Sequence, residues 1–440
     1  MPKSAIDQLI KPVSKFIHQE HTSGIVLLLS VLAAIVWVNS PWQESYHHFW
    51  DITFSVGVGS AVLSHPLHIW INDGLMAIFF FVIGLELKRE FMEGELSSLR
   101  KAALPMMAAL GGMLVPALIY YFINKGTDAS QGWGIPMATD IAFALALLSV
   151  AGKHIPSSVK VFLSALAVAD DLGAVLVIAF FYSTGISFLP LVIGLSFLAV
   201  LIVANLMGVR SSTFYLIIGF GVWVGFLLSG VHATIAGVLV AFAIPARTKV
   251  NEQEYVDCIN HYIENFKQEI PNRGALTTPE QHQIIEQIKN ISQDAETPLQ
   301  KIEYALHPYV AFVIMPLFAL ANAGIIIGAD IFTAIINPVS IGVAVGLLFG
   351  KFIGVLLFTF IMVKTGLAQL PEKATWAHIT GVAVLAGIGF TMSLFISALA
   401  FHDVQMIDQA KYGILLASIL AGSLGLFLLK RTKTATISPA

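Results

Sequence analysis

The chain has 440 residues, of which 57% are hydrophobic and only 12% charged, and its net charge is −3. Soluble domains carry about a quarter charged residues, so this composition excludes an ordinary soluble protein. No basic patch interleaved with aromatics argues for nucleic acid, and a single cysteine, Cys258, excludes both a disulfide framework and a cysteine-based metal site.

Residues 1–23 form a polar, weakly amphipathic N-terminal segment. No small-residue cleavage site follows the first hydrophobic run, so that run reads as a retained first span. Apolar segments fall at 24–39, 73–87, 102–124, 134–150, 158–182, 187–206, 213–229, 232–246, 308–327, 338–363, 376–399 and 409–429. These are twelve expected transmembrane helices, in one membrane domain over residues 1–440. Apart from Lys125, Lys411 and Lys351, every Lys and Arg lies at a terminus, in alternate loops or at their edge, where Lys160 opens the fifth span. That alternation predicts cytoplasmic N- and C-termini and an even number of spans. The external 40–72 loop holds a short alternating run, Phe54–Ser60, that reads as a β-hairpin edge able to pair with a second copy. Between spans eight and nine, the polar stretch 248–304 reads as a cytoplasmic loop with two helical halves, near 252–270 and 279–294, divided at Pro271–Gly274.

Charges inside the spans carry the chemistry. Asp170 and Asp171 are adjacent within an apolar fifth span. Carboxylates at membrane depth are costly, and neighbouring ones repel unless protons or a cation neutralise them. Protons and a small hard cation are therefore the expected ligands. Span four runs Gly134-Ile-Pro136-Met-Ala-Thr139-Asp140, where proline removes a backbone donor and breaks the helix just before Asp140. Span eleven has a matching interruption at Ala386-Gly387-Ile-Gly389-Phe-Thr391. The two broken spans are the middle members of triplets three-to-five and ten-to-twelve, a pattern of inverted-topology repeats with a binding site at the midplane.

Span ten carries Gly342, Gly346, Gly350 and Gly354, a ridge that admits a close neighbouring helix. Lys351 flanks this ridge, about 100° round the helix from Gly350. An intramembrane lysine needs a carboxylate partner or loses its proton, and Asp170 or Asp171 is the expected one, in a small-residue patch with Ala167, Gly173 and Ala174. Glu86, Lys88, Arg89 and Glu90 cluster at the inner end of span two, Glu303 and His307 open span nine, and His232 sits at the outer turn before span eight. Charges at helix ends are ordinary, and a lone histidine in such a turn reads first as structural.

The segments Ala138-Thr139-Asp140-Ile-Ala-Phe-Ala, Ala169-Asp170-Asp171-Leu-Gly173, Gly84-Leu-Glu86-Leu-Lys88-Arg89-Glu90, Gly230-Val-His232-Ala and Phe349-Gly-Lys351 closely resemble the NhaA-type sodium/proton antiporters. So do Pro316–Gly324 and Gly387–Phe395. The resemblance runs from span one to span twelve. Paired helix interruptions are known from this family among others, so the broken-span argument is not independent of it. The fold implied is an all-α polytopic membrane protein of twelve spans, with spans four and eleven discontinuous and crossing.

The resemblance implies a secondary transporter, not an enzyme, that exchanges Na⁺ or Li⁺ for protons by alternating access, with no cofactor. Asp171 would be the central cation and proton carboxylate, with Asp170 and Thr139 beside it. Asp140 and Lys351 would compensate the half-helix ends. Glu86, Arg89, Glu90, Glu303 and His307 would form a pH-sensing cluster, with His232 a further candidate. Tyr304 stands where that cluster usually has histidine, and the loop before it is long. A homodimer through the 40–72 loop, in a bacterial inner membrane, is also implied. An intramembrane aspartyl protease is disfavoured because Lys351 would spoil a shared proton between Asp140 and Asp170, and a channel because filters are usually built from rings of identical subunits.

Overall fold

The computed structural model describes residues 20–58, 61–152, 154–183, 185–269, 276–328 and 335–432. Most of the N-terminal segment and the division at Pro271–Gly274 lie outside the described residues. In chain order, α1 (Glu20–Val38) and α2 (Gln43–Trp50) precede an antiparallel hairpin of β1 (Thr53–Val58) and β2 (Ala61–Pro66). There follow α3 (Leu67–Met92), α4 (Leu99–Ile123), α5 (Asp128–Met137, wound as a 3₁₀ helix), α6 (Ile141–Ala151), α7 (Ser157–Tyr182), α8 (Phe188–Leu206) and α9 (Ser212–Ser229). Next come α10 (Ala233–Ala243), α11 (Glu252–Gln268), α12 (Pro279–Ala295), α13 (Pro298–Asn322), α14 (Pro338–Lys364), α15 (Trp376–Leu385), α16 (Phe390–Ala400) and α17 (Val404–Arg431).

Local chemistry sets many of these starts. Asn337 accepts the Ser340 N–H ahead of Pro338, and Thr297 accepts the Gln300 N–H ahead of Pro298, so each helix opens on a side-chain cap followed by a proline that has no N–H to satisfy. Thr278 and Gln281 form a reciprocal capping box at α12.

Among the described residues, eight helices are long and apolar enough to cross a bilayer alone: α3, α4, α7, α8, α9, α13, α14 and α17. Three bent pairs raise the number to eleven if each counts as one span: α1 with α2 (118°), α5 with α6 (41°) and α15 with α16 (43°). The sequence counted twelve. The difference lies at 232–246, where the helix is only the eleven residues of α10, about 16 Å long against a hydrocarbon core of about 30 Å. The extended stretch from Ile244 ends it early. The outer surface is apolar over wide areas: Phe180, Phe188 and Leu206 are 79%, 77% and 83% exposed. In water such a surface would drive aggregation, and in lipid it is the matching solvent.

The β strands pair from Thr53↔Pro66 to Val58↔Ala61, and Ser55 and Ser64 hydroxyls meet across them at 2.7 Å. Trp70 at the start of α3 donates to the Phe54 carbonyl, tying the hairpin to the bundle.

Candidate functional site

The two broken helices meet at their breaks. Residues 138–140 are extended between α5 and α6, and residues 386–389 separate α15 from α16. The Asp140 N–H donates to the Ile388 carbonyl at 2.6 Å, joining the two interruptions directly. Asp140 then serves both helices that start there. Its Oδ1 accepts the Phe143 N–H at 3.1 Å as the N-cap of α6. Its Oδ2 accepts the Thr391 N–H at 3.1 Å and the Thr391 hydroxyl at 2.5 Å, in the first turn of α16. One buried carboxylate thus faces the positive ends of two half-helices, where a negative charge is favoured. Ser393 fastens the same crossing by donating to the Ile135 carbonyl at 2.8 Å.

Beside this crossing runs α7 with Asp170 and Asp171, which are 0% and 1% exposed. Asp170 Oδ2 accepts the Lys351 ammonium at 2.5 Å and the Thr139 hydroxyl at 2.8 Å. Lys351 is itself fully buried. The Thr139 hydroxyl also lies 2.9 Å from the Ala386 carbonyl, so a single proton has two acceptors and can serve only one at a time. The Oδ1 atoms of Asp170 and Asp171 are both buried without any hydrogen-bond partner. Two acidic oxygens on consecutive residues with unused lone pairs, a hydroxyl and a carbonyl are the hard donors that a small cation prefers. Among the described residues no group of three or more His, Cys, Asp or Glu is arranged as a resident metal site.

The sequence leaves open which helix the glycine ridge of α14 approaches. Its neighbour is α4, not the small patch of α7. A Cβ on Gly350 would lie 2.6 Å from Pro116 Cα, and one on Gly354 would run into the Gly111 carbonyl. Gly173 of α7 in turn faces Met113, so α4 stands between the two elements. Lys351 reaches Asp170 past Gly112, where a Cβ would lie 3.6 Å from Lys351 Cδ and 3.8 Å from Asp170 Oδ1. The helix widens into a π turn at Gly346–Gly350, immediately before Lys351, a distortion often found at functional positions. The sequence reading missed Gly111, Gly112 and the Ala386 carbonyl. The Gly111–Gly112 doublet inside an apolar span was the available signal. Thr391 was noticed in the interruption but not as the partner of Asp140.

A second cluster gathers around Arg89. Its guanidinium donates to Glu303 Oε1 at 2.5 Å and lies 3.9 Å from Glu86 and 3.7 Å from Glu90. Glu303 is only 4% exposed, and its Oε2 has no partner. His307 is close enough to Arg89 for their charges to interact, whereas Tyr304 is 61% exposed. Lys88 takes a separate place, donating to the Phe242 and Ile244 carbonyls at the end of α10, where a cation complements the helix dipole. His232 does not join this cluster. Its Nε2 meets the Tyr182 carbonyl at 2.9 Å, while the Tyr182 hydroxyl accepts the Gly134 N–H and donates to the Gln131 carbonyl. His232 thus fastens the turn before α10 to the end of α7, and Tyr182 fastens that end to α5.

A family model described as Na⁺/H⁺ antiporter 1 matches residues 14–429. The Na⁺/H⁺ antiporter NhaA 2 of Syntrophotalea carbinolica is 49% identical over 426 residues, covering 96% of this chain and 97% of the relative. The Na⁺/H⁺ antiporter NhaA of Oleidesulfovibrio alaskensis is 49% identical over 426 residues, covering 97% and 95%. That of Koribacter versatilis is 46% identical over 440 residues, covering 99% and 96%.

Proposed function

This chain belongs to the Na⁺/H⁺ antiporter 1 family, and we propose that it exchanges cytoplasmic Na⁺, or Li⁺, for external protons across a bacterial inner membrane. The observation that carries this reading is the pair of buried, unpartnered carboxylate oxygens on Asp170 and Asp171 beside the crossing of two broken helices. Cation and protons compete for these oxygens. A bound Na⁺ favours the ionised carboxylates and expels protons, and protonation removes the charge that holds the cation. Lys351 neutralises Asp170 when no cation does so, and Thr139 supplies a hydroxyl to the same oxygen. Only a neutralised site crosses the hydrocarbon cheaply, which couples the two fluxes during alternating access. Asp170, Asp171 and Lys351 titrate as one set.

The accompanying topology is twelve spans with α10 as the short member and both termini in the cytoplasm. The 248–304 region, with α11 and α12, then lies in the cytoplasm. The Arg89 cluster, with Glu86, Glu90, Glu303 and His307, faces the same side and sets the pH response. A second copy pairs through the 40–72 region, where Phe54, Val56 and Val62 are 53%, 48% and 53% exposed on the hairpin.

The test is transport in proteoliposomes with an imposed pH gradient. Adding Na⁺ or Li⁺ should collapse the gradient with wild type and not with Asp171→Asn. Collapse that survives the substitution would move the binding site elsewhere.

A further inference from the structure

α15 is the first half of the second broken helix, and its far end touches the carboxylate site. The Ala386 carbonyl, directly after its last residue, faces the Thr139 hydroxyl. Its near end is closed by a capping box. The Thr375 hydroxyl accepts the His378 N–H at 3.4 Å, the Thr375 N–H donates to His378 Nδ1 at 3.1 Å, and the same Nδ1 lies 2.9 Å from the Thr375 hydroxyl oxygen. The third position of such a box is usually Glu or Gln, whose side-chain oxygen accepts a hydrogen bond across the ordinary pH range. Here it is a histidine that is 0% exposed. Nδ1 accepts only while the ring is neutral with its hydrogen on Nε2, and Nε2 is buried without a partner.

We propose that His378 makes the cap of α15 a proton-sensitive joint. The cap holds while the ring is neutral and opens when the ring takes a second proton, so acid on the inner side loosens the half-helix that ends at the cation site. The inference rests on the antiport site proposed above, and deepens it with a control point outside the Arg89 cluster.

Three features of the surroundings make protonation consequential. A second proton turns Nδ1 from acceptor to donor: the new Nδ1–H can turn to the Thr375 hydroxyl oxygen, but the Thr375 N–H loses its acceptor and the reciprocal box is broken. It also places a cation at a helix N-terminus, where the dipole opposes it. Finally, among the described residues no carboxylate interacts with the ring to compensate it. His154, in the turn before α7, binds the Leu429 carbonyl at 3.1 Å and is the one neighbour whose charge reaches the ring. When protonated it adds a charge of the same sign. Of the other charged groups on the packed elements, Asp170, Asp171 and Lys351 belong to the carboxylate site, and Lys411 pairs with Asp408 in the first turns of α17. Lys160 of α7 donates to Ser149, and Glu372 pairs with Lys373 in the preceding loop. Lys364 of α14 lies over Phe360, and Arg431 of α17 over Phe427. Lys430 is exposed. Histidine is the side chain whose charge ordinarily changes in the physiological range, so this box opens where one built on Gln stays shut.

The test compares wild type with His378→Gln, which keeps the capping box and removes the titration. Amide hydrogen exchange of the peptide covering 376–382 is measured on the full-length protein from about pH 5.5 to 8.5. Each protein's rate is first divided by the intrinsic rate of its own sequence at that pH, because a protonated histidine itself speeds exchange of its own and the following amide, and the two proteins are then compared as a ratio. The two should match at the alkaline end, and wild type should exchange faster at the acid end by about fivefold, the factor that a typical cap hydrogen bond is worth. In proteoliposomes the alkaline rate should be unchanged, and the acid limb of the pH profile should lie at lower pH in the variant. An exchange ratio constant across pH would overturn the joint. A pH-dependent ratio with superimposable transport profiles would overturn its coupling to transport. Because exchange is read without transport, absence of antiport in wild type would refute the proposed function and leave the joint to be judged by exchange.

Discussion

Lys351→Met isolates the energetics of the buried ion pair. In the native protein the Lys351 ammonium sits 2.5 Å from Asp170 Oδ2, and both side chains are 0% exposed. Breaking such a pair by removing one partner typically costs about 3–5 kcal/mol, because the remaining charge is stranded without water. The Thr139 hydroxyl still donates to Asp170, which places the expected loss near the lower figure. For a chain this long the change corresponds to a fall in Tm on the order of 5 °C. The loss should depend on pH with a definite sign. The folded variant relieves the stranded charge by binding a proton at Asp170 that the unfolded chain does not hold near neutrality. Stability that falls with rising pH is the consequence, so the deficit is larger at pH 8.5 than at pH 5.5. The assay is thermal unfolding of detergent-purified wild type, Lys351→Met, Asp170→Asn and the double variant at both pH values. The double variant should recover most of the loss, since two neutral groups of similar shape need no counter-charge. Equal Tm for wild type and Lys351→Met at the alkaline pH, or losses that simply add in the double variant, would refute the reasoning.

Asp140→Ala should free the Phe143 N–H and both Thr391 donors, at a cost of about 2 kcal/mol or more, with faster amide exchange at 141–144 and 390–393; Asp140→Asn, which keeps one of the two acceptor oxygens, should lose less. Gly354→Val should disrupt the α4–α14 contact, because its Cβ meets the Gly111 carbonyl, and should appear as lost monodispersity in size-exclusion chromatography. Gly328→Ala, with no atom within 4 Å of the added carbon, should behave as wild type. Replacing Val56 and Val62 with lysine should convert dimers to monomers by light scattering, leaving the Tm of the monomer within about 2 °C; dimers that persist would place the interface elsewhere.

Sequence alone determined the membrane setting, the positions of most helices and the residue types of the site. Those follow from local quantities: apolar run length, Gly and Pro interruptions, and the cost of placing Asp170, Asp171 and Lys351 in hydrocarbon. The family's motif also led to the expectation that Glu86, Arg89, Glu90 and Glu303 meet, although not to the direct Arg89–Glu303 ion pair across 214 positions. Only the tertiary structure decided what each group touches. Hydropathy could not distinguish the eleven-residue α10 from a full span, because an apolar stretch continues past the point where the backbone stops being helical. Nor could spacing along α14 say which helix its glycines approach, since a ridge of small residues fits any close neighbour. That Asp140 caps two half-helices at once depends on how the two broken helices cross. The crossing is a contact between residues some 250 positions apart, and no local pattern encodes such a separation.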